Sequence, residues 1–289
     1  MPDLPDYLNF NQLNHYLEEA IKEDIGPGDH SSLSVIDQDA QGEAKLVMKE
    51  TGVLAGVEAA RNVYRLIDNT LSVDFLVEDG AQVSKGDIVM VLRGSVRSIL
   101  SAERLSLNIL QRMSGIATKT HKLTELIKGT KAQLLDTRKT TPNFRMFEKW
   151  AVYLGGGTNH RFALYDMIML KDNHNDYAGG ITKAVSQAKT YLKHQYLNLK
   201  IEVETRSLDE VKEAFEAGAD IIMLDNMGTE QMKEAVEIIS NKCKVEASGG
   251  ITEQNIREIA ETGIDFISVG ALTHSYKSLD MSLKAEISR

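Results

Sequence analysis

Residues 200–250 read KIEVETRSLDEVKEAFEAGADIIMLDNMGTEQMKEAVEIISNKCKVEASGG. Short apolar runs at Lys200–Glu204, Asp220–Asp225 and Lys244–Ser248 alternate with Leu208–Ala217 and Glu230–Ile239, where apolar residues recur at helical spacing. The runs read as strands and the spacers as amphipathic helices. Strand, crossing helix and strand in one sheet favour right-handed parallel pairing, so this segment predicts a parallel α/β fold.

The same rhythm extends outward. Ala132–Asp136, Met167–Lys171 and Asp265–Gly270 read as further strands, and Phe144–Leu154, Ile181–His194 and Glu253–Glu261 as further helices. Each strand ends in polar or glycine-rich residues. In a barrel those ends converge on the carboxyl-end face, where barrel enzymes keep their sites, whereas an open doubly wound sheet spreads them along a line. The expected fold is therefore an incomplete parallel α/β barrel of the TIM type.

Residues before about 130 follow another pattern. A helix opens at Asn9, with Leu13, Leu17 and Ile21 on one face and Asn9 and Gln12 spaced as a capping pair, and closes at Gly26-Pro27-Gly28. Alternation in Gly42–Gly56 and β-rich runs at Val73–Val77 and Ile88–Leu92 predict a small sheet, with helices at Val57–Ile67 and from Ser95 to Met113. The cadence of residues 77–94 is also that of biotinyl and lipoyl carrier modules. Lys85 lacks their acceptor context, which leaves a plain β-hairpin as the expectation. The predicted domains are an N-terminal α/β sandwich over 1–114, joined by a tail at 273–289, and the barrel over 115–272.

The chain has 289 residues, long enough at roughly 150 per domain for two domains. No apolar run approaches the roughly 18 residues of a membrane span. Met1–Phe10 has no basic region of a secretory signal, and the single Cys243 suits a reducing compartment, so a cytoplasmic protein is expected. A net charge of −9 argues against general affinity for nucleic acid or acidic lipid.

Against that charge, Arg138, Lys139, His160, Arg161 and Lys171 gather at or just after predicted strand ends. Arginine forks and lysine point charges together suit a small polyanion carrying carboxylate and phosphate. Glu204 and Asp225 end successive strands, which places two carboxylates side by side for ribose hydroxyls or hydrated magnesium; Glu202 shares their face as an alternative to Glu204. Ser248-Gly249-Gly250 and Ser268-Val269-Gly270 follow the last two strands, where glycine lets backbone N–H groups approach a phosphate, with a helix dipole expected after Gly250. Gly155-Gly156-Gly157 reads as a flexible connector.

The string Leu135-Asp136-Thr137-Arg138-Lys139-Thr140-Thr141-Pro142, then Lys149, Gly155-Gly156-Gly157, His160-Arg161, Leu164, Asp166 and Leu170-Lys171-Asp172-Asn173-His174, resembles the quinolinate phosphoribosyltransferase family. The likeness continues through Glu103-Arg104, Ser114–Thr118, Ile201–Glu204, Met223–Asn226, Glu246–Gly250 and Ser268–Gly270, and back to Glu23-Asp24 and Gly28-Asp29. Asn143 and Ala163 stand where the family pattern has glycine.

The resemblance implies a homodimer or higher oligomer with a shared active site. It also implies that quinolinate and phosphoribosyl pyrophosphate give nicotinate mononucleotide, pyrophosphate and carbon dioxide with Mg2+. By it, Arg138, His160, Arg161 and Lys171 bind quinolinate together with Arg104 of the partner subunit. Lys139, Glu204 and Asp225 serve the ribose and pyrophosphate, the two carboxylates holding Mg2+ directly or through water, and the residues 248–250 and 268–270 cradle the 5′-phosphate. Lys139, Lys171, Glu204 and Asp225 are the expected catalytic residues. Two other readings are a barrel aldolase or epimerase with Lys171 as Schiff-base nucleophile, and a paralogue of the same fold serving molybdenum uptake.

Overall fold

The structure is a computed structural model describing residue 5 and residues 7–286; positions 1–4 and 6 of the N-terminal stretch, and 287–289 of the tail, lie outside the described residues. The chain forms two compact units, one of residues 1–121, 140–156 and 272–289, the other of 122–139 and 157–271. The expected 114/115 boundary thus falls inside a helix, and residues 140–156, which the sequence assigned to the barrel, join the first unit.

The elements of the N-terminal part are α1 (Phe10–Ile25), α2 (His30–Val35), β1 (Gln41–Met48), β2 (Gly52–Val53), α3 (Val57–Ile67), β3 (Ser72–Phe75), β4 (Gln82–Val83), β5 (Ile88–Ser95) and α4 (Val96–Leu126). There follow β6 (Gln133–Leu135), α5 (Arg145–Leu154), β7 (Ile168–Leu170), α6 (Asp172–Ala178), α7 (Ile181–His194), β8 (Ile201–Thr205) and α8 (Leu208–Ala217). The last are β9 (Ile221–Asp225), α9 (Thr229–Ile239), β10 (Lys244–Ser248), α10 (Ile256–Ala260), β11 (Phe266–Ser268), α11 (Ala271–His274) and β12 (Met281–Glu286).

In the first unit an antiparallel sheet runs in the order β12-β1-β5-β3. Ala44, Leu46 and Met48 alternate inward along β1 against Val89–Leu92 of β5, and burying each large side chain contributes about 1.5–3 kcal/mol. The amphipathic α3 buries Val57, Ala59, Ala60, Val63 and Tyr64, and the Tyr64 hydroxyl meets Ser106 Oγ on α4 at 2.8 Å. The hairpin expected in residues 77–94 does not form: β4 pairs with β2, and β5 with β1 and β3. Nor is Gly155 in a flexible connector. It ends α5, and a Cβ there would strike Ala117 and Thr120 of α4, so glycine permits a close helix approach.

The second unit holds a sheet in the order β6-β11-β10-β9-β8-β7 with every pairing parallel. Val203, Ile222, Leu224, Val245, Ala247 and Ile267 fill its strands. The sheet is not closed by a β6–β7 ladder; an isolated parallel bridge from Leu135 to Thr158 stands there instead. This is the incomplete barrel, and it brings six strand carboxyl ends to one face.

Candidate functional site

β6 is followed directly by Asp136, which is fully buried. Its carboxylate accepts the His160 N–H at 2.9 Å and the Asn159 side-chain amide at 2.6 Å, and so fixes where the segment after Thr158 enters the carboxyl-end face. Immediately beyond, Arg138 and Lys139 are exposed.

The His160 side chain is 7% exposed, and both its ring nitrogens face protein. Nδ1 accepts the Arg161 N–H at 2.7 Å, while Nε2 lies 3.0 Å from Glu202 and 3.5 Å from Glu246. Burial opposes charge on the imidazole, yet its bonds to Glu202 and Glu246 outweigh this and raise its pKa to about 10. Burial, followed by the Glu246 charge, also raises the Glu202 carboxyl. With Nδ1 used as an acceptor, the ring's proton sits on Nε2, facing the two carboxylates. The same arrangement argues against a metal among these three side chains, because imidazole ligation through Nε2 requires the proton to move to the occupied Nδ1.

Glu202 is thereby separated from Glu204. Glu202 is wholly buried in this cluster, whereas Glu204, two residues on along β8, reaches the rim and accepts from Lys171 Nζ at 2.5 Å. Lys171 is exposed just beyond β7 and precedes α6, a short helix the sequence reading missed.

Arg161 is half-buried. One guanidinium nitrogen donates to the Met167 carbonyl at 3.3 Å and another contacts Met169 Sδ at 3.4 Å. Burial, then the nearby charge of Arg138, lowers its pKa. Two guanidiniums close enough to repel, neither in an ion pair with a carboxylate among the described residues, make a place where an anion is stabilised. The intervening loop is tied by Asp166, which accepts from the Phe162 N–H at 2.5 Å and the Ala163 N–H at 2.8 Å.

Asp225 ends β9 and Glu204 lies one residue before the end of the adjoining β8; the ladder sets Glu204 opposite Met223, so Asp225 stands two residues further along the same edge. Next to β9, β10 leads into Gly249 and Gly250 with φ of +90° and +62°. Such consecutive left-handed residues favour glycine and form a turn suited to anions. The expected dipole after Gly250 is not supplied, because Asn255 caps a turn with Thr252 and Gly250 and α10 begins only at Ile256. Val269 likewise departs from the expected cradle: its side chain is buried and its N–H donates to Leu135 O at 3.0 Å. Ser268 is buried beside it at the end of β11.

Arg104 belongs to the first unit, exposed on α4. That unit also contains a cavity of about 930 Å3 lined by Lys22, Asn108, Arg112 and Phe144. Its cations are already matched, Lys22 by Glu19 and Arg112 by Glu148, so it offers no comparable anion site. The buried Glu246 partner of His160 was overlooked in the sequence. A carboxylate inside an apolar strand, as in Val245-Glu246-Ala247, was the available signal.

The described residues contain no helix long and apolar enough to cross a membrane. The quinolinate phosphoribosyl transferase N-terminal domain model matches residues 29–114, and the C-terminal domain model matches residues 116–284. A rice (Oryza sativa subsp. japonica) chloroplastic nicotinate-nucleotide pyrophosphorylase [carboxylating] is 44% identical over 92% of this chain and 76% of its own. A probable enzyme of the same name from Bacillus subtilis (strain 168) is 40% identical over 97% of this chain and 96% of its own. The crystal structure of NadC from Streptococcus pyogenes superposes with a TM-score of 0.92 at 42% identity, covering 97% of this chain and 98% of that one. These matches run through both units and through every strand end described above, and the chain belongs to the quinolinate phosphoribosyltransferase family.

Proposed function

We propose that the reaction of this family runs at the carboxyl-end face of the parallel sheet: phosphoribosyl transfer from phosphoribosyl pyrophosphate to quinolinate, with decarboxylation to nicotinate mononucleotide. The observation that carries this reading is the joining of Arg138, Arg161 and Lys171 with Glu204 and Asp225 on the strand ends of one sheet.

Arg138 and Arg161 take the two quinolinate carboxylates, their mutual repulsion relieved by the dianion. Lys171 lies alongside, and Asp136 and His160 hold the backbone from which Arg161 projects. Lys139 faces the pyrophosphate, and the turn at Ser248, Gly249 and Gly250, with Ser268 and Gly270, receives the 5′-phosphate. Glu204 and Asp225 present hard carboxylate oxygens on adjoining strands, a donor set that fits Mg2+ directly or through water. When bound, the ion neutralises charge on the departing pyrophosphate.

The pyridine nitrogen attacks the anomeric carbon and the bond to pyrophosphate breaks, its electron pair leaving with that group. The two carboxylates stabilise the positive charge that develops on the sugar. With the nitrogen quaternary, the electron pair of the ring–carboxylate bond stays on the ring carbon as carbon dioxide departs, stabilised there by the adjacent positive nitrogen. Arg138 and Arg161 hold the ring in place, and the ring carbon then takes a proton from Lys171 or water. A Schiff-base reading of Lys171 is less well served. The residue is exposed and bonded to a carboxylate, the opposite of a desolvated nucleophile pocket. The same reading takes the protein as a cytoplasmic homodimer in which Arg104 of the partner subunit adds a further quinolinate contact.

Carbon dioxide release from carboxyl-labelled quinolinate, with phosphoribosyl pyrophosphate and Mg2+, tests the proposal; nicotinic acid is the specificity control. Lys139→Ala and Arg161→Ala each remove a charge-assisted contact of about 1.5–3 kcal/mol, which corresponds to losses of about ten- to a hundredfold in kcat/KM with unchanged melting. Near-wild-type turnover in both variants would withdraw the assignment.

A further inference from the structure

We infer that Asn226 is a positioning residue for phosphoribosyl pyrophosphate, locking the Asp225 carboxylate to the Gly249–Gly250 turn. The inference rests on the reading of Asp225 and that turn given above.

Asn226 adopts φ +54° directly after β9. A glycine enters this region without steric cost, and asparagine is among the few other residues that tolerate it. The asparagine side chain makes three uses of the position. Its Nδ2 donates to Asp225 Oδ2 at 3.0 Å, which restrains the rotation of that carboxylate. Its backbone N–H donates to the Ser248 carbonyl at 2.9 Å, so the end of β9 is bonded to the last residue of β10. Its amide lies flat against Gly249, where any Cβ would collide with Oδ1, Cγ and Nδ2.

Glycine at 249 is therefore required twice, by φ of +90° and by the Asn226 amide covering it. One exposed side chain connects the carboxylate assigned to the ribose and metal with the turn assigned to the 5′-phosphate. These two groups sit at opposite sides of the same ribose, so the spacing between their protein partners sets how well the whole substrate fits. Quinolinate contacts lie on other strands and do not pass through Asn226.

The informative variant is Asn226→Gly, which keeps or eases the backbone conformation while deleting the amide. Its stability is expected to match wild type within experimental scatter. Its Kd for phosphoribosyl pyrophosphate, measured by calorimetry with and without Mg2+, is expected to rise about tenfold, as the loss of one hydrogen bond to a charged group predicts. KM for quinolinate is expected to stay within about twofold. Asn226→Asp, isosteric but without the donor and with a charge facing Asp225, is expected to be at least as weak a binder.

Asp225→Asn serves as the control on the underlying reading. If Asp225→Asn weakens binding and Asn226→Gly does not, the positioning role is overturned and the site assignment stands. If neither weakens it, the assignment of Asp225 falls, and the inference with it. Equal rises in KM for both substrates in Asn226→Gly would also overturn the role, since they would mark a general disturbance of the sheet end.

Discussion

Asp79 shows how a residue's sequence neighbours and its structural task can diverge. Asp79-Gly80 reads as a turn, yet the carboxylate accepts the N–H groups of Gly56, Val57 and Glu58 at 2.6, 2.9 and 3.3 Å, and so caps α3 from more than twenty positions away. Gly56, with φ +99°, occupies the N-cap and has no side chain to do this. Asp79→Ala orphans these donors and is expected to cost about 1–3 kcal/mol in denaturant unfolding, with Asp79→Asn, which keeps one acceptor oxygen, costing less. Burial also raises the Asp79 pKa despite the three N–H bonds that oppose it. The folded state thus binds the proton more tightly than the unfolded one, and stability falls as pH climbs from the ordinary carboxylate value through the raised one. Asp79→Asn should flatten that part of the stability–pH curve; an unchanged slope would show that Asp79 is not its source. The cap was illegible in the sequence because nothing local marks the acceptor. By contrast, Arg138, Arg161, Lys171 and Glu204 were legible, since cations and carboxylates at predicted strand ends need only the strand to be right.

At the scale of elements, strands and helices of the parallel sheet stood out because each pairs an apolar run with an amphipathic helix. The expected Lys244–Ser248, Ile181–His194 and Leu208–Ala217 coincide with β10, α7 and α8. Elements held by tertiary partners were harder to see. α10 begins three residues after the expected Glu253 because Asn255 ties down Thr252. β12 was expected only as a tail associated with the N-terminal part, but it is a full edge strand, paired antiparallel with β1 from Glu43↔Glu286 to Met48↔Met281. Its position suggests a specific cost of deletion. Without residues 281–289, β1 would become an edge with unpaired N–H and carbonyl groups, and the buried Met281 would be lost from the core. The truncated chain is expected to melt several degrees lower and to associate, read by differential scanning fluorimetry and light scattering. A monodisperse truncated protein with wild-type melting would mean that β12 contributes little to the sheet.

For the whole molecule, the division of charge between units frames the question of assembly. The proposed quinolinate cations Arg138, Arg161 and Lys171 all lie in the unit that holds the parallel sheet, while Arg104 is an exposed arginine of the other unit, on a helix whose opposite face buries Ala102, Ile109 and Leu110. An arginine so placed has no packing task of its own, and the proposed shared site gives it one in the partner subunit. Arg104→Ala and Lys139→Ala homodimers should then each be strongly impaired, about ten- to a hundredfold, for complementary reasons. In a hybrid dimer one site carries both lesions and the other carries neither, so an equal mixture after subunit exchange should recover at most about a quarter of wild-type activity. Exchange can be verified independently by differently tagged chains copurifying. Recovery near that ceiling would require Arg104 and Lys139 to act from different subunits in one site. Copurification with no recovery would place both residues in the same subunit's site, and the proposed contribution of Arg104 across the dimer would have to be abandoned.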